Sequence, residues 1–196
     1  MSVTSQISEL VIKGKAKDVG ALVEQALKAG EKPADVLNKG LLAGMSIVGE
    51  RFKKNEVYVP EVLIAARAMK AGMVVLQPKL VAAGVKPIGV AVIGTVKGDL
   101  HDIGKNLVGM MLEGAGIKVV DLGIDVAPDK FAAEAKANNA QVIGVSALLT
   151  TTMTNMKAVV DAVAAAGLKG KAKVMIGGAP VTQSFCDEIK ADGYAP

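Results

Sequence analysis

The sequence predicts two structural classes in one chain: an N-terminal four-helix bundle followed by a doubly wound parallel α/β sheet. Apolar residues recur at helical spacing from about Thr4 to Gly84, whereas short β-branched runs alternate with helical patterns after Pro87. Apolar residues make up 51% of the chain but aromatic residues only 3%, which is typical of close helix packing and buried parallel strands. We therefore expect a helical domain at residues 1–85 and an α/β domain at residues 86–196.

Four amphipathic patterns define the predicted bundle. The second pattern ends at Gly30, and Pro33 and Pro60 suit the first turns of the third and fourth helices. Short connections favour an antiparallel arrangement, and the absence of Glu-x-x-His pairs from the sequence excludes a di-iron bundle. The predicted connection at residues 48–61 carries Phe52 and Tyr58, and filling the end of the bundle is sufficient to explain both aromatic residues.

The second half of the chain predicts strands at residues 88–94, 118–121, 142–146 and 173–176, with helices at 104–113, 129–137, 152–166 and 181–191. A fifth strand begins near the C-terminus and no closing helix follows it, and whether the C-terminus is trimmed stays open. This alternation indicates a flavodoxin-like or Rossmann-like sheet, in which loops at the carboxyl ends of the strands bind ligands.

The first of these loops concentrates the polar residues, reading Gly-Asp-Leu-His-Asp-Ile-Gly-Lys-Asn from Gly98 to Asn106. A phosphate-binding loop fits poorly, because five residues separate Gly98 from Gly104 and Asn106 replaces the expected Ser or Thr. No dinucleotide fingerprint is present. The remaining interpretation is Asp99-x-His101-x-x-Gly104, with His101 as ligand or base, Asp99 orienting its ring and Gly104 admitting a bulky group.

His101 is the only histidine of the chain and Cys186 the only cysteine, so the usual Cys/His zinc sites cannot be assembled. If His101 binds a metal, most of the other ligands must come from a cofactor, as in a macrocycle. A loop histidine held by Asp99 without any ligand is the structural alternative, and these residues alone leave both open.

Charge and targeting signals exclude several classes of protein. The net charge is only +4 and no basic run with interleaved aromatic residues occurs, so we expect no nucleic-acid partner. The single Cys186 allows no internal disulfide and suits a reducing compartment. Neither a signal peptide nor an apolar run of membrane-spanning length is visible. We therefore expect a cytoplasmic protein without a membrane partner.

The loop motif, together with Ser146-x-Leu148 and Gly177-Gly178 downstream, resembles the cobalamin-binding domain of methionine synthase and of the small corrinoid proteins of methyltransferase systems. The resemblance includes the helical half and spans essentially the whole chain. It implies a bound cobalamin whose own base leaves cobalt, with His101 as the metal ligand in its place.

The resemblance also implies roles for individual residues. Asp99 and His101 would form the catalytic pair, because a metal-bound imidazole usually donates its other N–H to a carboxylate. Ser146 would hydrogen-bond the displaced base, while the helical domain would cap the corrin. The implied cofactor-binding residues are Val96, Gly98, Asp99, His101, Asp102, Ile103, Gly104, Ser146, Leu148, Thr150, Gly177 and Gly178, with Phe52 and Val59 in the cap.

For several of these positions a structural role without any ligand is also sufficient. Asp102 suits a helix N-terminus by its charge, and Thr150 begins a run of threonines that suits a helix cap. Gly109, inside the first helix of the α/β domain, costs about 1 kcal/mol relative to Ala. Either a ligand tail packed beside that helix or a close contact between helix and sheet would explain the glycine.

The resemblance also implies a function, that of a corrinoid protein that carries a methyl group on cobalt from a donor-specific methyltransferase to an acceptor methyltransferase. It would be a subunit that does not catalyse alone, with a reductive activase as a further partner. The methyl donor could be methanol, a methylamine or a methoxylated aromatic, and the methyl acceptor could be tetrahydrofolate or a thiol. A cobalamin-dependent sensor or regulatory module is the alternative. The sequence does not predict the corrinoid's lower base or the oligomeric state.

Overall fold

The computed structural model of the protein describes residues 2–195 and divides into two compact units. One unit extends to Pro87 and includes Glu113–Gly116. The other comprises Ile88–Leu112 and the described residues from Ile117 onward. Within residues 2–195, no helix is both long enough and apolar enough to span a membrane.

The first unit is helical throughout, as the amphipathic patterns predict. Its elements are α1 (Val3–Ile12), α2 (Ala16–Lys28), α3 (Pro33–Asp35), a π-helical segment (Val36–Leu42), α4 (Ala43–Lys53) and α5 (Val59–Ala82). Ser2 caps α1 by accepting a hydrogen bond from the Ser5 N–H. The Glu61 carboxylate accepts a hydrogen bond from the Tyr58 N–H and thereby fixes the start of α5.

The third predicted helix is longer and less regular than the sequence pattern indicates. It runs without a break from Pro33 to Lys53, although residues 36–42 adopt π-helical geometry. The prediction that Phe52 lies in the connection is therefore wrong, because Phe52 is in the last turn of α4. The true connection is only five residues long, from Lys54 to Tyr58.

The second unit is a five-stranded parallel sheet with helices between the strands. The strands are β1 (Gly89–Thr95), β2 (Ile117–Asp121), β3 (Val142–Ser146), β4 (Lys173–Gly177) and β5 (Gly193–Ala195), and their spatial order is β2-β1-β3-β4-β5. The helices are α6 (Ile103–Gly114), α7 (Pro128–Ala137), α8 (Thr150–Met153), α9 (Asn155–Ala165) and α10 (Gln183–Ile189). The predicted α and α/β fold is confirmed, and the strand order places a switch point between β1 and β3.

The two faces of this sheet differ in burial. On one face, Ile143, Val145 and Ile176 pack in a core with Phe131 of α7 and Met156 of α9, and all are at most 3% exposed. On the opposite face the alternate residues of β3 and β4, such as Gly144, Ser146, Met175 and Gly177, are only partly buried. The core therefore covers one face of the sheet. On the other face β1 is also buried, as Ala91 and Ile93 show, and the partly buried positions of β3 and β4 form an open strip.

Gly109 of α6 lies on the side of this strip, against β1. A Cβ atom at Gly109 would lie 2.8 Å from Cδ1 of Ile93, closer than real Cβ contacts. The close contact between helix and sheet therefore explains this glycine, and no ligand tail is needed to account for it.

Candidate functional site

The candidate site is the loop between β1 and α6, at the carboxyl end of β1. His101 lies in this loop with its side chain 50% exposed, whereas the neighbouring Asp99 side chain is completely buried. A buried carboxylate is costly unless donors surround it. The hydrogen bonds of Asp99 therefore determine the geometry of the loop.

Five donors converge on Asp99. Its Oδ1 atom accepts from the backbone N–H of His101 at 3.0 Å and contacts the ring Nδ1 atom of His101 at 2.8 Å. Its Oδ2 atom accepts from the N–H groups of Leu148 and Leu149 at 2.8 and 3.3 Å. The hydroxyl of Thr152 also donates to Oδ2, at 2.6 Å. Asp99 thus joins the His101 loop to the segment that follows β3.

These hydrogen bonds keep Asp99 ionised. Burial alone would raise the pKa of the carboxyl, but the hydrogen bonds from Thr152, Leu148 and His101 outweigh it and hold the pKa of Asp99 well below its ordinary value. An ionised carboxylate can only accept hydrogen bonds. The Nδ1 atom of a neutral His101 ring must therefore carry the proton, which leaves the lone pair on Nε2.

The Nε2 atom of His101 is the reactive end of this arrangement. No hydrogen bond within residues 2–195 involves Nε2, and its ring is half exposed. A ring whose tautomer and orientation are fixed by a carboxylate, with the opposite nitrogen free, has the geometry of a histidine that ligates a metal. From the sequence alone, His101 could also have been a loop histidine that Asp99 holds without any ligand.

Three other side chains hold the backbone of the loop. The Thr95 hydroxyl donates to the His101 carbonyl oxygen at 2.9 Å, and the Asn155 side-chain amide donates to the Lys97 carbonyl oxygen at 2.8 Å. The carboxylate of Asp125 accepts from the Gly98 N–H at 2.7 Å. This hydrogen bond, together with Lys97, holds the pKa of Asp125 below its ordinary value.

Sequence reasoning missed Thr152, Thr95, Asp125 and Asn155. It treated Thr152 as part of a run of threonines that caps a helix, and nothing in that run distinguishes it from Thr151. The first turn of α8 turns Thr152 inward, where it is 8% exposed. Thr152, Asp125 and Asn155 bond to loop residues at least 27 positions away along the chain. Thr95 bonds to His101 only six positions away, but no local pattern distinguishes it from the other strand residues.

Lys105, in the first turn of α6, is a buried cation, and its side chain is only 3% exposed. Its ammonium group contacts both carboxylate oxygens of Asp121 at 2.7 and 2.6 Å and donates to Asn106. Asn106 in turn donates to the carboxylate of Asp102 at 3.0 Å. These contacts join the start of α6 to the end of β2, and they place Asp102 at the helix start that its charge suits.

The loops after β3 and β4 carry the remaining predicted residues. Ser146 ends β3, Leu148 follows it with 43% exposure, and Thr150 begins α8. A Cβ atom at Gly178 would lie 1.9 Å from the carbonyl oxygen of Ala147, and the φ angle of Gly178 is +124°. Close contact between these two loops therefore requires glycine at position 178 whether or not a ligand tail passes here.

Other predicted site residues lie in different surroundings. Val96 is completely buried in the same core cluster as Phe131, so only its backbone could face a ligand. Phe52 and Val59, in the helical unit, are both partly buried, at the end of α4 and the start of α5 respectively. Gly98 has a φ angle of +81°, which a glycine adopts without strain.

Two features near His101 fit a large cofactor. A Cβ atom at Gly104 would have no neighbour within 4 Å, so the fold itself does not require glycine there, whereas close approach of a bulky group would. The side chains of Leu100, Ile103 and Leu149 are exposed by 67%, 78% and 43%. Exposed apolar groups clustered around a loop are typical of a ligand or partner surface.

The open strip of the sheet adds a third feature. The hydroxyl of Ser146 forms no hydrogen bond within the part of the chain that the structure describes, and it lies beside the small Gly144 and Gly177 positions. A narrow ligand chain with a hydrogen-bonding group could therefore lie along the strip. These residues fit a corrinoid, which combines a large apolar ring with a long polar tail.

The donor set near His101 also limits what kind of metal site is feasible. Among residues 2–195, no group of three or more His, Cys, Asp or Glu side chains is arranged to hold a metal ion. A metal bound by His101 would need its other ligands from a cofactor, as the macrocycle interpretation requires.

Comparison with known proteins supports the same conclusion. A family model described as a B12 binding domain matches residues 89–195, and a second B12 binding domain model matches residues 3–77. The dimethylamine corrinoid protein 2 of Methanosarcina mazei is 45% identical over 191 residues, which are 97% of this chain and 89% of that protein.

Two solved structures have the same fold. A cobalamin-binding protein from Desulfitobacterium hafniense superposes with a TM-score of 0.78 at 30% identity, covering 100% of this chain and 92% of that one. A chain of the methanol:cobalamin methyltransferase complex MtaBC from Methanosarcina barkeri superposes with a TM-score of 0.87 at 30% identity, covering 98% of this chain and 74% of that one. The chain therefore belongs to the family of corrinoid proteins that contain a B12 binding domain, as the motif resemblance predicted.

Proposed function

We propose that this protein is a methyl carrier that receives a methyl group from one methyltransferase and delivers it to another, with His101 as the lower ligand of a bound corrinoid. The single observation that carries the proposal is the contact of the ionised, buried Asp99 with Nδ1 of His101 at 2.8 Å. It leaves Nε2 free on a half-exposed ring.

A bound corrinoid would supply a cobalt ion that accepts and releases a methyl group. The residues of this chain bind the cofactor and control the ligand. Asp99 keeps the proton on Nδ1, so Nε2 presents a lone pair. The Asp99 carboxylate, 2.8 Å from Nδ1, would also stabilise positive charge that develops on the ring when it ligates a metal.

The remaining predicted residues contribute binding. We assign Gly104 to close approach of the ring, with Ile103 as an apolar contact. Leu148 and Thr150 would lie along the ligand tail, and Ser146 would form the hydrogen bond with the displaced base. By resemblance, Phe52 and Val59 are apolar contacts supplied by the helical unit, which acts as the cap. We further propose that residues 1–85 cap the corrinoid and that residues 86–196 bind it.

The partners follow from the chemistry of a carrier. A donor-specific methyltransferase supplies the methyl group and an acceptor methyltransferase removes it, with a reductive activase restoring inactive cofactor. Since the Methanosarcina mazei relative is named for dimethylamine and the Methanosarcina barkeri neighbour belongs to a methanol system, methylamines and methanol are the donors to test first.

The test uses a labelled methyl group. The protein, loaded with cobalamin and reduced, is mixed with isotopically labelled methylamine or methanol and the methyltransferase of the corresponding system. Label that co-migrates with the protein, and that an acceptor methyltransferase then removes, supports the proposal. The matched control omits cobalamin. If the loaded protein acquires no label with any donor system, the carrier proposal fails, even if the protein binds cobalamin.

A further inference from the structure

Thr95 is a buried polar residue at the end of β1 whose hydroxyl is directed at the backbone of the candidate ligand. It is 0% exposed, and its hydroxyl donates to the carbonyl oxygen of His101 at 2.9 Å. Its own N–H donates to Gly123, and its carbonyl oxygen accepts from Val126, both at 3.0 Å. The backbone of Thr95 is therefore held by the segment that follows β2, independently of its hydroxyl contact with the loop.

Two residues together hold three polar atoms of His101. Asp99 contacts the backbone nitrogen and the ring nitrogen Nδ1, both through the same Oδ1 atom. Thr95 holds the remaining polar backbone atom, the carbonyl oxygen. Without Thr95, both fixed points of His101 would depend on one carboxylate oxygen, and the residue could pivot about that atom.

The residue type at position 95 is informative because a fully buried strand end favours a β-branched apolar residue. The other buried β1 residues are Gly94 and the apolar Ala91, Val92 and Ile93. A hydroxyl in this position is unfavourable unless it is hydrogen-bonded, and its bond crosses to the loop and not to a neighbouring strand. Valine would fill the same space and would lose only this bond.

We propose that Thr95 is a positioning residue that sets the reach of Nε2 of His101 towards the corrinoid. The inference rests on the proposed function, because it has meaning only if His101 is the lower ligand. It goes beyond the Asp99–His101 pair by assigning part of the ligand geometry to a strand hydroxyl that touches neither the ring nor the cofactor. Asp99 sets the tautomer, and Thr95 sets the position of the backbone that carries the ring.

The test compares Thr95→Val with Thr95→Ser, which restores the hydroxyl. Each protein is titrated with cobalamin by absorbance, and the cobalt(II) form is examined by spin resonance for coupling to a histidine nitrogen. A neutral hydrogen bond of ordinary strength corresponds to about a threefold to tenfold effect. We expect Thr95→Val to weaken cobalamin binding by about that factor and to reduce the histidine-coupled fraction, and Thr95→Ser to recover most of both.

A second comparison separates positioning from a general structural effect. If Thr95 acts through His101, Thr95→Val should not weaken cobalamin binding further when His101→Ala is already present. The matched control is Thr4→Val in the helical unit, which changes another nearly buried threonine whose hydroxyl bonds to Ser2. We expect this control to leave the histidine coupling unchanged.

The possible outcomes are distinct. Unchanged coupling and affinity in Thr95→Val overturn the inference, and so does an equal loss of affinity with and without His101. If Thr95→Val does not fold, Thr95→Ala provides the same comparison, because it also removes the hydroxyl. Absence of histidine coupling in the wild-type protein contradicts His101 ligation itself, which separates failure of the proposed ligand from failure of the role of Thr95.

Discussion

Replacing Asp99 by Asn tests how the buried carboxylate controls His101. Asparagine has nearly the same shape but offers one acceptor oxygen and one NH2 group. Three donors converge on Oδ2 and two groups of His101 on Oδ1. The amide should therefore place its oxygen at the Oδ2 position, where more donors are satisfied, and its NH2 group at the Oδ1 position facing His101.

Two costs follow from that orientation. The part-buried backbone N–H of His101 loses its acceptor and faces an NH2 group instead, and an unsatisfied donor of this kind costs about 1–3 kcal/mol. The hydrogen bonds that remain at the oxygen lose the assistance of a charge, which removes about 1 kcal/mol more. We therefore expect the free energy of unfolding of the cofactor-free protein to fall by about 2–4 kcal/mol, measured by urea-induced unfolding.

The ring of His101 should respond as well. An NH2 group at the Oδ1 position donates to Nδ1, so the proton of the neutral ring moves to Nε2 and the lone pair needed for a metal is lost. Nitrogen nuclear magnetic resonance can report this tautomer without ambiguity, because His101 is the only histidine of the chain. The variant should also show no histidine coupling when it binds cobalamin.

Asp161→Asn is the matched control. Asp161 forms an exposed ion pair with Lys157 on α9, and such pairs contribute less than about 1 kcal/mol. The reasoning is refuted if Asp99→Asn changes the free energy of unfolding no more than Asp161→Asn does, and if its His101 ring still carries the proton on Nδ1.

Three further substitutions have defined outcomes. Gly104→Ala should leave the free energy of unfolding unchanged or raise it by up to about 1 kcal/mol, because the added methyl has no neighbour within 4 Å. The same methyl should weaken cobalamin binding in an absorbance titration by obstructing the ring, and unweakened binding contradicts the role of Gly104. Gly178→Ala should lower the free energy of unfolding by about 2 kcal/mol or more, because its Cβ would lie 1.9 Å from the Ala147 oxygen; a stable variant contradicts the close loop contact. Burial alone would raise the pKa of Asp192, but the ion pair with Lys173 and a hydrogen bond from a backbone N–H outweigh burial and lower that pKa. The ionised Asp192 therefore stabilises the folded protein fully above the ordinary Asp pKa of about 3.9, and this contribution is lost as the pH falls below that value. Urea unfolding between about pH 5 and pH 2 should therefore depend less on pH in Asp192→Asn than in the wild type, and an identical pH dependence contradicts this assignment.

Much of the fold can be predicted from local patterns. The β-branched runs of β1 and β3 and the helical spacing between them are each sufficient to define the element. Pro33 starts its helix, as expected of a residue without an N–H. The π-helical geometry of residues 36–42 could not be predicted, because the apolar spacing of Val36 and Leu41 also suits an ordinary α-helix.

The candidate site could likewise be predicted only in part from local patterns. The spacing of Asp99, His101 and Gly104 predicts the centre of the site because those residues are close in the sequence. Thr152 and Asn155 reach the loop from more than 50 positions along the chain. Only the parallel pairing of β1 with β3 brings those segments together, and no local pattern encodes their side-chain contacts.

The measurement that tests the central claim most directly is the cobalt(II) spin-resonance spectrum of the cobalamin-loaded protein, with and without nitrogen-15 in its single histidine. If His101 is the lower ligand, the triplet splitting of ordinary nitrogen becomes a doublet in the labelled protein and disappears in His101→Ala. A triplet that persists in the labelled protein would show that the cofactor's own base stays on cobalt. That result would contradict ligation by His101.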